Sequence, residues 1–143
     1  MILQSTAFQE NDPIPQKYTC DGEDVNPQLS IDDIPDNAES LVLIVDDPDA
    51  PGKTWDHWLV FNIDPVSEIV EDSVPGKQGQ NDFDKEEYGG PCPPGGTHRY
   101  FFRLYALDTT LDLDDGVARI ELEEAMQDNI VDQAELMGTY TRG

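Results

Sequence analysis

The run from Tyr88 to Phe102, YGGPCPPGGTHRYFF, decides how the rest of the chain is read. Its first half excludes helix. Pro91, Pro93 and Pro94 fix φ and remove N–H donors, while Gly89, Gly90, Gly95 and Gly96 permit tight turns. Its second half predicts a strand that continues through Arg103, Leu104, Tyr105, Ala106 and Leu107. On that strand His98 and Tyr100 share one face, and Arg99 and Phe101 the other. A rigid loop thus delivers an imidazole and a phenol side by side at a strand mouth, as happens when a polar site is built on a stiff scaffold.

Upstream, the apolar run Leu41-Val42-Leu43-Ile44-Val45 ends in Asp46-Asp47-Pro48-Asp49-Ala50-Pro51. Shortly after come Trp55-Asp56-His57-Trp58 and a second apolar run, Leu59 to Ile63. Carboxylates, both histidines and a tyrosine are therefore gathered at strand ends. The remaining pattern predicts strands over Ile2–Phe8, Gln28–Asp32, Ser40–Asp46 and Trp58–Ile63, with Ala134–Arg142 returning as a last strand or an extended tail. Helical spacing of Leu122, Ala125, Met126 and Ile130 predicts one helix from Ile120 to Val131, its stripe serving core packing. The acidic stretch from Glu68 to Glu87 reads as a long surface loop, either a lid over the site it leads into or a plain solvated excursion. Several short strands, Gly/Pro turns and little helix describe an antiparallel β protein.

Composition narrows the function classes. Lysine and arginine total 8 against 31 aspartates and glutamates, a formal charge of −23. That balance argues against nucleic acid or an anionic membrane held by a basic patch. The acids alternate with apolar runs, so they are not a disordered tail. A dense carboxylate surface with few lysines suits a high-salt cytoplasm, and a halophilic source is expected. The length predicts a single domain over residues 1–143. Neither a basic leader nor a membrane-length apolar run is visible, so a soluble cytoplasmic protein without membrane insertion is expected. Cys20 and Cys92 belong to no Cys-x-x-Cys pair, which argues against zinc. Two free, partly buried thiols are the expectation in a reducing cytosol, and a disulfide at the pocket lip is the alternative.

Three motifs in order, Asp47-Pro-Asp-Ala-Pro51, Trp55-Asp-His-Trp58 and Gly90-Pro-Cys-Pro-Pro-Gly-Gly-Thr-His-Arg-Tyr100, resemble the phosphatidylethanolamine-binding protein family, which includes the Raf kinase inhibitor proteins. The match is to its short bacterial and archaeal branch and extends from Tyr18-Thr-Cys-Asp-Gly22 to Arg142. The resemblance implies a mainly β fold, a two-sheet antiparallel β-sandwich with Greek-key connections and one or two short helices. It also implies a small pocket for phosphate-like groups, carried by Asp47, Asp49, His57, Pro94, His98 and Tyr100. It further suggests a cis Ala50–Pro51 bond, and strain near Lys53–Thr54, where relatives carry a non-proline cis bond.

The residue types agree with such a pocket. Imidazole, phenol and loop amides can donate to an oxyanion. A carboxylate beside them makes sense if it accepts from one imidazole nitrogen, fixing the tautomer and raising the histidine pKa, or if it is itself held protonated. Each residue also has a plainer reading. Asp47 and Asp49 are turn formers, His57 between two tryptophans suits a satisfied core histidine, and Trp55 and Trp58 suit either pocket wall or core. A non-enzymatic binding protein for a phosphorylated small molecule, lipid head group or phosphopeptide ranks first. An inhibitor of a protein kinase or protease acting through its surface ranks second. An enzyme ranks third, because Cys92 is the one nucleophile candidate and prolines flank it. No metal-binding His spacing occurs and no cofactor is implied. A second copy of the chain is a further candidate partner.

Overall fold

A computed structural model describes all residues from 1 to 143. Eight strands form two antiparallel sheets. Strands β1 (Ile2–Gln4), β2 (Leu29–Asp32) and β5 (Glu68–Ile69) make a small sheet in the order β1-β2-β5. Strands β3 (Ser40–Asp47), β4 (Trp55–Ile63), β6 (Lys77–Gln78), β7 (Gly96–Leu107) and β8 (Ile130–Arg142) make a larger one in the order β6-β4-β3-β7-β8. After β4 the chain passes through β5 and β6, then returns as β7 to lie beside β3, a Greek-key step. The one α-helix, α1, covers Arg119–Met126, and a single 3-10 turn covers Gln16–Tyr18.

The large sheet is covered on both faces, and this explains why β3 reads as an unbroken apolar run. Leu41, Leu43 and Val45 point into a core shared with Leu3, Leu29, Ile31 and Ile69 of the small sheet. Val42 and Ile44 point the other way, into a second core closed by Leu111, Leu122 and Met126. All eight residues of β3 are buried. The sandwich core also takes Trp58, Val60, Tyr100, Phe102, Leu104 and Ala106, the even positions of β7 that the period-2 reading set on one face.

Several boundaries differ from the sequence reading. The helix ends at Met126, and Ile130 and Val131 open β8 instead. Leu122 and Met126 are its buried residues, so the apolar spacing was right for two turns and then crossed into a strand. The β4 strand starts at Trp55 and β7 at Gly96, so both histidines lie within strands and not in the loops before them. Residues 68 to 87 contain β5 and β6 and are not one loop.

Two backbone expectations fail. Every peptide bond is trans, Ala50–Pro51 included. Near Lys53–Thr54 the one left-handed residue is Gly52, at φ 84°, a conformation glycine adopts freely.

Cys20 and Cys92 are joined in a disulfide, with Cα atoms 5.5 Å apart. The free-thiol expectation rested on compartment chemistry alone. What sequence spacing could not show is that the Cys20 amide donates to the Pro91 carbonyl at 3.1 Å, laying the two turn segments side by side.

Candidate functional site

His57 faces the sandwich side of the sheet because of a register shift. Val45 pairs with Trp58, but the next residue, Asp46, pairs with Asp56. One extra residue in β4, His57, is thereby squeezed out of the ladder. Such a bulge re-aims a side chain. In regular alternation His57 would lie on the face of Leu59, toward α1. Instead its ring packs edge-on against Tyr100, with centroids 5.3 Å apart.

The end of β3 brings Asp47 to the same place, and β7 brings His98 and Tyr100. Asp47, His57 and Tyr100 are each at most 3% exposed, and His98 is 8% exposed. Asp47, His57 and Pro94 line one cleft of about 200 Å³ together with Ala50, Pro51, Trp55, Phe83, Cys92 and Pro93. His98 and Tyr100 stand behind this wall, not in it. The His98 Nδ1–H donates to Asp47 Oδ2 at 2.6 Å. The other Asp47 oxygen accepts the Asp49 amide at 2.8 Å. Both Asp47 oxygens are thus engaged by the protein.

Asp49 is not in the cleft. It forms a two-point pair with Arg99, whose Nε and Nη2 each lie 2.9 Å from its oxygens. Hydrogen bonding from Arg99 holds its carboxyl down at about 2. The residue fixes the outer side of the turn, as its plainer reading had it.

The anchor of His57 also differs from expectation. No carboxylate meets its ring. Nδ1–H donates to the Gly89 carbonyl at 2.7 Å. Burial pushes the imidazole pKa down, outweighing that bond and the Asp47 charge. His57 is therefore neutral at pH 7, and its Nε2 carries a lone pair. Tyr100 presents the opposite polarity. Its hydroxyl is buried and lies near Asp47 and the Cys92 backbone without making a hydrogen bond of full geometry to either. Burial, then the charge of Asp47, pushes its pKa far up, so it stays a donor. No cluster of three or more His, Cys, Asp and Glu is arranged to hold a metal ion.

Two residues that the sequence reading passed over complete the wall. Phe83 stacks edge-on against His57 at 5.2 Å and against Trp55 at 5.7 Å. Asn81, only 3% exposed, organises the loop that presents Phe83. Its Nδ2 donates to the carbonyls of His57 and Glu87, and its Oδ1 accepts the amides of Phe83 and Lys85. That is its full capacity. In sequence Asn81 looks like any turn former, and Phe83 is one aromatic in an acidic stretch. The glycines opposite are explained by close approach. A Cβ on Gly89 would stand 2.6 Å from the Phe83 ring, and one on Gly90 would run into the Tyr18 carbonyl.

Comparison with known proteins gives one answer. A family model described as phosphatidylethanolamine-binding protein matches residues 4–141. A relative from Methanothermobacter thermautotrophicus is 50% identical over 151 residues, covering 100% of both chains. One from Pyrococcus abyssi is 50% identical and covers 99% of this chain and 86% of its own length. The crystal structure of a protein from Chlamydia trachomatis, described as a homologue of the same family, superposes with a TM-score of 0.96 at 45% identity, covering 99% of this chain and 97% of the other. Escherichia coli YbcL, described as a new member of the mammalian family, gives 0.91 at 28% identity over 99% and 98% of the two chains.

Proposed function

The chain belongs to the phosphatidylethanolamine-binding protein family, and from that premise we propose that it is a non-enzymatic binding protein whose cleft takes a phosphate-like group. One observation carries the reading. Both imidazoles are tied through Nδ1, His57 to Gly89 and His98 to Asp47, so each keeps Nε2 free of protein partners. Neither Nε2 is sealed from solvent, whereas the buried Tyr100 hydroxyl beside them is an unsatisfied donor. A group with several oxygens and a shareable proton fits that set. A proton shared with the ligand lies on His57 Nε2 in the cleft wall, and the Tyr100 hydroxyl behind that wall donates to a phosphate oxygen once the wall side chains part around the guest. Asp47 does not repel such a guest at full strength, because both its oxygens are already hydrogen-bonded.

Binding is favoured over catalysis because the nucleophile candidate is spent. Cys92 lines the cleft as half of a disulfide and offers no thiolate.

Tyr100→Phe separates this reading from a purely structural role. The lost hydroxyl has no partner, so stability stays level or rises slightly. A hydrogen bond to a charged group contributes about 1.5–3 kcal/mol, so phosphate affinity falls about tenfold or more. Calorimetry with inorganic phosphate reads the second effect and thermal unfolding the first. Unchanged affinity removes Tyr100 from the ligand's contacts.

A further inference from the structure

Directly behind the cleft, on the α1 side of the large sheet, the ladder makes a costly arrangement. It sets Asp46 of β3 opposite Asp56 of β4. Like charges directly across a ladder repel, and here Asp46 is only 1% exposed. The two carboxylates precede Asp47 and His57 in sequence, and they form the pair at which the register shifts.

Arg119 closes this gap. Its Nη1 lies 2.8 Å from Asp46 Oδ2 and 2.8 Å from Asp56 Oδ1. Arg103 of β7 adds bonds to Asp46 at 2.9 and 3.2 Å but none to Asp56. The Asp56 carboxylate thus relies on Arg119 alone for a cation within hydrogen-bond distance. Its backbone amide is held separately, by Asp82 Oδ2 at 2.6 Å. Arg119 is also the first residue of α1. A cation there opposes the helix dipole, and its one contact within the helix is a half-exposed ion pair to Glu123 at 3.5 Å, so the helix gains little from the choice.

We propose that Arg119 is a positioning residue for His57: by bridging Asp46 and Asp56 it locks the register shift that turns the imidazole into the cleft. The ligand-binding consequence rests on the phosphate-like reading of the cleft, whereas the effect on the His57 ring does not. Burial pushes the Asp56 carboxyl pKa up against the pull of Arg119, as expected of a carboxylate that depends on that partner. With Arg119 neutralised, the two carboxylates separate. The His57 Nδ1 bond to Gly89 then loses its fixed geometry, and the ring samples both tautomers.

The test uses the full chain as wild type, Arg119→Gln and the double variant Arg119→Gln/Asp56→Asn. Two readouts are taken, calorimetric affinity for inorganic phosphate and the ¹H–¹⁵N long-range pattern of the His57 ring. Wild type shows a single neutral tautomer protonated at Nδ1. Arg119→Gln shows mixed tautomers and about tenfold weaker phosphate binding. The double variant, relieved of the like-charge pair, returns toward wild type in both and serves as the folded control if the single variant does not fold. An Arg119→Gln protein with lower melting temperature but unchanged tautomer and affinity overturns the proposal, as does a double variant that recovers neither. If wild type itself binds no phosphate, the pocket reading fails while the tautomer pattern still decides the role of Arg119.

Discussion

His57 and His98 are chemically the same side chain placed in two electrostatic settings. His98 gives its Nδ1 proton to a carboxylate, Asp47. His57 gives its own to a carbonyl and is kept neutral by burial. A phosphate-like guest at His57 Nε2 needs one proton between the two partners. Above the titration ranges of the free imidazole and the free phosphate, that proton is taken from water. Linkage then gives the sign: affinity falls as pH rises, by about tenfold per unit for one proton taken up. Below about pH 6 a phosphomonoester already carries the proton, and the dependence flattens. Calorimetry in two buffers of different ionisation enthalpy checks this by reading the proton count directly. A count of zero at pH 8 means that the guest is not shared with a neutral imidazole. At this scale the sequence picked out Asp47, His57 and Pro94, which the fold brings to one cleft. It could not tell carbonyl from carboxylate as the anchor of His57, nor see that Arg99 draws Asp49 out of the cleft, because both depend on which backbone groups the fold brings near.

Among the elements, β3, β7 and the Pro/Gly loop before β7 were legible for physical reasons. A run of five apolar residues marks a strand buried on both faces, and even-numbered positions of β7 share the sandwich core. The bulge in β4 was not legible, since nothing in Asp56-His57-Trp58 signals that a residue will be squeezed from the ladder. The pairing of Cys20 with Cys92, a contact across 72 residues, stood in the sequence only as the alternative to two free thiols, and it is the alternative that holds. That bridge ties the cleft loop to the segment around the 3-10 turn, assisted by Gly90 N–H to Asp24 at 2.7 Å and Tyr88 hydroxyl to the Tyr18 carbonyl at 2.8 Å. Closing a loop of this size stabilises by about 4 kcal/mol in the chain-entropy treatment. Cys20→Ser/Cys92→Ser is therefore expected to unfold at clearly lower urea while keeping its strand content by circular dichroism. A variant with the wild-type midpoint would mean that the bridge adds nothing to the folded state beyond its neighbouring hydrogen bonds.

The molecule as a whole carries a formal charge of −23, and the anion we propose for the cleft would bind against that field. Few cations are free to help. Arg99, Arg103, Arg119 and Arg142 are all paired with carboxylates, as are Lys17 and Lys53. No helix is long and apolar enough to cross a membrane. Long-range attraction therefore supplies nothing, and specific binding must come from short-range groups in a partly desolvated cleft. Salt of molar strength shortens the Debye length to about 3 Å, which removes the repulsion and leaves those contacts in place. The sequence made the surface charge plain, and the fold adds the contrast between that surface and a cleft lined mostly by uncharged groups, whose one carboxylate, Asp47, is already hydrogen-bonded. The most direct measurement is a calorimetric titration of inorganic phosphate into wild type and His57→Ala in molar potassium chloride at pH 7. Saturable binding by wild type, weakened about tenfold or more in His57→Ala, is the predicted result. No binding by wild type, or equal affinity in the two proteins, contradicts a phosphate-like guest in the His57 cleft.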